Sequence, residues 1–405
     1  MPIAARLSVM MFLNYVVWGA WYVTLGTYLT QTLHFTGTQS GFVFGTSALS
    51  CIISPFFVGL IADRYFAAER VLSALHLIGA VLLVALSRVT TFPAVFALLL
   101  AYCICYFPTI ALTNSLTLRN ITNAATQFPL IRVFATLGWI VIGLMVGYMN
   151  LERSATAFLL AAGFSVAMGL YSLTLPHTPP AAKGKSASWR TILGLDALVM
   201  LKDRSYLVFV IASVLACIPL TFYFSFTNAY LNEVGVPNAA AKMTLGQASE
   251  VIMMLLMPWI FRKFSLKWIL TVGLLTWSVR YLLLAYGNAG DWVSLFYLAI
   301  LVHGICYDFF FMTGQLYTDQ EAPAHLRATA QGFIQFLTYG VGMLLGSLLS
   351  GVTVDLFSTG SGATVTRNWR GFWTTSAIGA FLIFLLVAAV FRSKGRIQTS
   401  KPTPA

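Results

Sequence analysis

The feature that most constrains this chain is its succession of long apolar stretches separated by short polar turns. They fall at 7–33, 41–62, 70–88, 93–118, 128–149 and 154–176, then at 205–231, 243–262, 267–287, 292–318, 326–354 and 371–392. A helix needs about 20 apolar residues to cross a bilayer, so 405 residues accommodate about twelve spans. Only 9% of the residues are Asp, Glu, Lys or Arg and the mean hydropathy is +0.82, against about a quarter charged in a soluble chain. Most of this chain has no water to face. The runs are continuous and lack the two-residue alternation of a barrel, which predicts an all-α membrane protein.

The first stretch is too long for a signal-peptide core and lacks a small-residue cleavage site after a short one, so it reads as a membrane helix. Cys51, Cys103, Cys105, Cys217 and Cys306 all sit inside apolar runs with no metal-ligand spacing. There they act as small hydrophobes, and neither disulfides nor structural zinc are expected. The net charge of +12 does not imply nucleic acid, because the charges punctuate apolar segments instead of forming a basic face.

The positions of the basic residues give the topology. With both termini cytoplasmic, the inner loops and tails hold Arg6, Arg64, Arg70, Arg119, Lys183, Lys185, Arg190, Lys202, Arg204, Arg262, Lys263, Lys267, Arg327, Arg392, Lys394, Arg396 and Lys401. The other side holds only Arg88, Arg153, Lys242, Arg367 and Arg370. This is the positive-inside rule, and an odd number of spans would scramble it. The expected organisation is a six-helix bundle over 1–176, a cytoplasmic linker over 177–204, and a second six-helix bundle with a basic tail over 205–405. Within the linker, Trp189, Ile192, Leu193 and Leu198 form the apolar side of a short helix at the membrane surface.

After the second stretch the chain reads Gly59-Leu-Ile-Ala-Asp63-Arg64, followed by Glu69-Arg70. This resembles the Gly-x-x-x-Asp-Arg cytoplasmic gate motif of the major facilitator superfamily. Two bundles joined by a basic linker fit the same fold.

Ionisable groups inside a span cost at least roughly 2.5–3.5 kcal/mol each at the bilayer centre, so every one needs a reason. Arg132 opens the fifth stretch, with Thr136 and Trp139 on the same helix face; it either snorkels to water or reaches a cavity, there pairing with a carboxylate or donating to substrate oxygens. Glu250 lies in the eighth stretch with Gln247 one turn earlier, and must face an aqueous cavity or be protonated. Asp308 lies in His303-Gly-Ile-Cys-Tyr307-Asp308-Phe-Phe-Phe311, where nothing on its own span neutralises it. An acid that can carry a proton within a gated cavity is what a proton-coupled carrier requires.

His303 to Asp308 also spells the His-x4-Asp of glycerolipid acyltransferases, a chance match in mid-span without a partner motif. Arg280 stands nearer the outer end of its stretch, where snorkelling or helix–helix bonding is the default reading. Gly342-Met-Leu-Leu-Gly346 is a helix-packing pair. Trp18, Trp21 and Tyr22 either line a cavity or belong to an aromatic belt.

Several stretches together resemble the nucleoside:proton symporter family of that superfamily. They are Trp18-Gly-Ala-Trp21 with Thr24-Leu-Gly26, Phe128-Pro-Leu-Ile-Arg132, Thr174-Leu-Pro-His177 and Leu193-Gly-Leu-Asp-Ala197. Gln247-Ala-Ser-Glu250, Tyr307-Asp-Phe-Phe310 and Arg327-Ala-Thr-Ala-Gln-Gly332 complete the set, in the expected order through nearly the whole chain.

The resemblance implies proton-coupled nucleoside uptake. It places Arg132, Thr136, Gln247, Glu250 and Asp308 around the substrate, with Trp139 and Tyr307 suited to stack on a base. His303 stands where better-known members have tyrosine. Thr221 and Phe224 lie near positions where those members carry nucleoside-binding amides, so substrate identity is the point of departure.

The mechanism this implies is alternating access in a monomeric carrier of the bacterial inner membrane. Asp308 or Glu250 takes the proton, and no cofactor or nucleic-acid partner is involved. The other readings are a major facilitator carrier for a sugar or drug, a membrane-embedded enzyme, and a non-transporting sensor. An enzyme would need its catalytic groups near one interface, whereas the unusual residues lie within spans of both halves.

Overall fold

The computed structural model describes residues 2–57, 65–180 and 194–392. The gate motif residues Gly59, Asp63 and Arg64, and the linker residues Trp189, Ile192 and Leu193, lie outside the described residues.

Nearly everything described is helical. In chain order the helices are α1 (Ile3–Tyr22, continued by Leu25–Thr27 and a π turn over Tyr28–Thr32), α2 (Gly37–Phe57), α3 (Ala68–Leu86), α4 (Phe92–Arg119), α5 (Ala124–Tyr148) and α6 (Thr156–Ser172). After a 3-10 turn over Leu195–Lys202 come α7 (Arg204–Glu233), α8 (Ala239–Lys263), α9 (Leu266–Tyr286), α10 (Val293–Glu321), α11 (Arg327–Gln335, Phe336–Gly342 and Met343–Leu356) and α12 (Trp369–Val390). Among the described residues, ten helices are long and apolar enough to cross a membrane; α2 and the shorter α6 accompany them. One two-stranded ribbon, β1 (Ser358–Thr359) with β2 (Thr366–Arg367), joins α11 to α12.

Polar side chains set several of the helix starts. Asn123, Ser265 and Asn368 each accept from the backbone N–H three residues on, at 3.2, 3.3 and 3.0 Å, which satisfies donors a helix leaves unpaired at its N-terminus. Asp203 does the same for Ser205 and Tyr206 at the start of α7. Thr36 and Gln39 form a reciprocal capping box on α2. Where the chain leaves α6, Pro176 permits no further helical turn.

Among the described residues, three spans contain wide π turns, over Tyr28–Thr32, Asp308–Met312 and Phe336–Gly342. A π turn shifts the helix register by one residue, and such turns gather at functional positions.

The chain forms two compact units. The first comprises Met1–Ile192, Phe224–Thr244 and Ser347–Thr366; the second comprises Leu193–Tyr223, Leu245–Gly346 and Arg367–Ala405. Their boundaries therefore fall inside α7, α8 and α11. In the first unit α1 packs on α5 and α6, α3 on α4 and α6, and α2 on α4. Its cores gather Trp21, Tyr22, Tyr102 and Phe158 in one cluster and Leu7, Met11, Leu72 and Leu116 in another. In the second unit α9 packs on α10 and α12. Large apolar side chains point outward too, Val81 at 70% and Leu255 at 76% exposure, as a lipid-facing surface requires.

The Gly342 and Gly346 pair packs α11 on α7. A Cβ on Gly342 would come within 2.8 Å of the Cys217 Cβ, and one on Gly346 within 2.6 Å of the Thr221 Oγ1. Gly194 turns the chain into the 3-10 segment at φ +68°, where a Cβ would sit 2.7 Å from the Thr329 carbonyl oxygen. Within that segment Leu198 and Val199 are exposed while Ala197 and Met200 are buried.

Candidate functional site

The residues singled out in the sequence divide between the two units, and each group has its own surroundings. In the first unit, Arg132 on α5 is held by a tyrosine, and among the described residues it pairs with no acid. Its Nη2 donates to the Tyr15 hydroxyl on α1 at 2.8 Å, and its guanidinium lies 4.5 Å from the centre of the same ring. A delocalised cation over a ring face gains about 0.5–2 kcal/mol, so Tyr15 fixes Arg132 while leaving donors for another acceptor. Thr136 and Trp139 are half-buried further along the helix.

Trp139 meets Trp18 edge-on at 5.0 Å between ring centres. Trp18 is the hub of an aromatic cluster, with Tyr22 at 5.3 Å, Phe107 at 5.5 Å and Tyr106 at 6.1 Å. Trp21 and Tyr22 are buried. These rings belong to the interior of the first unit, not to an interfacial belt. Phe224, on the part of α7 that joins this unit, stands 6.1 Å from Tyr22.

In the second unit, α8, α9 and α10 bring together residues distant in sequence. Glu250 Oε2 lies 3.8 Å from His303 Nε2. The other ring nitrogen of His303, Nδ1, takes a hydrogen bond from Arg280 Nη1 at 2.9 Å. Close approach of α8 and α10 places them so: a Cβ on Gly304 would meet the Ser249 carbonyl at 2.5 Å, and the Gly304 N–H donates to Ser249 Oγ at 3.0 Å. Gln247 is half-buried one turn before Glu250.

Tyr307, one turn beyond His303, shares a 2.7 Å hydroxyl–hydroxyl bond with Tyr339 in the π turn of α11. Asp308 opens the π turn of α10. It is 1% exposed, and among the described residues its Oδ2 has no hydrogen-bond partner. A buried polar atom without a partner costs about 1–3 kcal/mol and marks a position kept for something other than stability.

Of the two default readings for Arg280, snorkelling and helix–helix bonding, the structure shows the second. It is fully buried and bonded to another helix, so it does not snorkel. Its charge was visible in the sequence, but its partner on α10 was not. Thr221 is also turned inward, its hydroxyl spent on the Cys217 carbonyl at 2.7 Å.

A second polar assembly, in the first unit, went unmarked in the sequence. Glu152, in the turn between α5 and α6, accepts from the Ala240 N–H at 3.0 Å with Oε1. Its Oε2 accepts from the Asn228 amide at 2.9 Å and from the Asn232 amide. Thr27 donates to Asn228 Oδ1, and Gln31 donates to the Ala229 carbonyl at 2.8 Å. Asp355 of α11 meanwhile takes the Gly37 and Thr38 N–H groups at the start of α2, at 2.6 and 2.7 Å. Gly37 and Gly351 touch there so closely that a Cβ on either would collide with the other's carbonyl oxygen.

Elsewhere in the first unit, Glu69 joins α3 to the chain beyond α6. It takes the His177 Nδ1 at 2.8 Å and the Thr178 N–H at 3.0 Å.

The family model described as nucleoside H+ symporter matches residues 1–396. The chain belongs to that family. Among its relatives in Escherichia coli strain K12, YegT is 41% identical over 403 residues, covering 97% of this chain and 94% of YegT. The xanthosine permease is 34% identical, covering 97% of this chain and 96% of its own length. Crystal structures of the nucleoside transporter NupG, one of them of a point mutant, superpose with TM-scores of 0.88 and 0.91 at 30% and 29% identity. They cover 97% and 96% of this chain and 100% of each NupG chain. This nucleoside:proton symporter family member therefore has the major facilitator fold, and its family comprises transporters, not enzymes.

Proposed function

We propose that this chain takes up nucleosides together with protons, by alternating access. The observation that carries the reading is the family match over 1–396, nearly the whole chain. Asp308 and Glu250 are the proposed proton-coupling residues, and the orphaned Oδ2 of Asp308 favours Asp308 as the carrier of the proton. Arg132, Thr136, Gln247, Glu250, His303 and Tyr307 supply hydrogen bonds to ribose hydroxyls or base edges, and Trp139 and Tyr307 pack on the base. Phe224 and Thr221 offer no amide, so base recognition differs from that of members that carry one.

The proposed setting is the bacterial inner membrane, with a monomer and both termini cytoplasmic. Six-helix bundles over 1–176 and 205–405 are joined by the basic linker, and Gly59, Asp63 and Arg64 serve the cytoplasmic gate. The Glu152 and Asp355 assemblies then lie at the outer ends of their helices. No cofactor takes part; the proton gradient drives accumulation.

Purified protein in proteoliposomes tests this. A panel of labelled nucleosides is expected to accumulate when the outside is acidic and not without the gradient, and unlabelled sugars should not compete. Gradient-driven uptake of a sugar with no uptake of any nucleoside would overturn the reading.

A further inference from the structure

Arg280 is a full positive charge in the interior of the second unit, with 0% exposure. Among the described residues its Nε and Nη2 have no hydrogen-bond acceptor. So costly a group is retained only for what it does. Its guanidinium carbon lies 3.4 Å from the centre of the Tyr223 ring and 5.3 Å from that of Trp277, a cation seated on aromatic faces. From that seat Nη1 reaches His303 Nδ1 at 2.9 Å.

The chemistry of this contact admits one arrangement. A guanidinium has only donors and does not lose a proton in proteins. Nδ1 of His303 must therefore be the acceptor, with its lone pair turned to Arg280. A neutral imidazole whose Nδ1 accepts carries its hydrogen on Nε2. The ring lies within about 26° of parallel to both Tyr223 at 5.7 Å and Tyr307 at 5.8 Å between ring centres, and this packing restricts its rotation. Nε2 faces Glu250 Oε2 across 3.8 Å, beyond direct hydrogen-bond length. An N–H donor and a carboxylate acceptor so spaced match a ligand atom that accepts from one and donates to the other. A hydroxyl does both; a carbonyl oxygen only accepts.

We propose that Arg280 is a positioning residue that holds His303 as its Nε2–H tautomer, so that His303 and Glu250 together recognise a hydroxyl of the substrate. This rests on the nucleoside reading for the substrate class, which makes the hydroxyl one of the ribose. It also assigns His303 a fixed donor role and leaves proton carriage to a carboxyl group, since a second proton on His303 would break its bond to Arg280.

Two measurements test the proposal, one of which needs no transport. In protein labelled with 15N-histidine, the His303 signals, assigned by their loss in His303→Gln, should show a bare Nδ1 and a protonated Nε2. A protonated Nδ1 in the unaltered protein overturns the positioning role, whether or not any nucleoside is carried. In proteoliposomes, Arg280→Met should raise KM for uridine by about tenfold, the size of one lost hydrogen bond, with kcat largely kept. Against the deoxyuridine that lacks the recognised hydroxyl, the same change should matter little. A purely structural role would lower kcat and penalise uridine and both its 2′- and 3′-deoxy forms alike, and that result overturns the hydroxyl assignment. If the unaltered protein carries no nucleoside, the function proposed above fails, while the tautomer measurement still decides the role of Arg280.

Discussion

Glu152 and Asp308 are both carboxylic acids with almost no exposure, at 5% and 1%, yet their bonding is opposite. Glu152 is saturated, taking two side-chain amides and a backbone N–H from α7 and the start of α8. Asp308 has an oxygen to which nothing among the described residues donates. A saturated acid ties segments together, because losing it strands several donors at once. An orphaned oxygen ties nothing, and a travelling proton can be added there without breaking an existing bond. Burial alone does not tell a structural acid from a working one; the count of its donors does.

The comparison breaks most sharply at Asp308. Asp308→Asn is expected to abolish gradient-driven accumulation of labelled nucleoside, while exchange of labelled for unlabelled nucleoside across equal pH persists. Undiminished accumulation in that variant would remove Asp308 from coupling. The same substitution should leave thermal stability unchanged or slightly raised, since it removes no hydrogen bond from Oδ2.

Glu152→Ala should do the reverse. It strands two buried donors, the Asn228 amide and the Ala240 N–H, while Asn232 keeps its bond to the Asn228 carbonyl at 3.0 Å. At about 1–3 kcal/mol each, with partial relaxation, the expected loss is about 2–3 kcal/mol. A clear fall in the unfolding temperature of the purified protein checks this, and Glu152→Gln should fall between. A variant as stable as the parent would show that the assembly does not hold its segments. The smallest effect is expected at Asp355, whose loss uncaps α2 but leaves the Thr36 and Gln39 box in place. Asp355→Ala should cost about 1 kcal/mol by the same unfolding measurement.

The spans were legible because an apolar run of bilayer length has few other uses. Expected and observed ends agree within a few residues, as with 205–231 against Arg204–Glu233 and 267–287 against Leu266–Tyr286. The π turns were not legible, since a shift from i→i+4 to i→i+5 bonding leaves no mark on composition. Asp308 drew notice as a charge in a span, but that its helix widens there did not show. The ionisable residues of the site announced themselves by their cost in lipid. Their partners did not, because Arg280 and His303 are 23 residues apart and Asn228 and Glu152 are 76. Glu152 and Asp355 were missed for a simpler reason. In a turn or at a helix end a carboxylate is unremarkable, and only the amides around it reveal its work.

The make-up of the Glu152 assembly bears on the environment a carrier meets. Its donors are two side-chain amides and a peptide N–H, and Asp355 likewise holds peptide N–H groups. Ion pairs exposed to water weaken as salinity rises, whereas buried bonds to neutral donors are hardly screened. A cell governs its own cytosol but not the medium beyond its membrane. On the proposed outer side, a fastening of this kind would hold alike in fresh water and in brine.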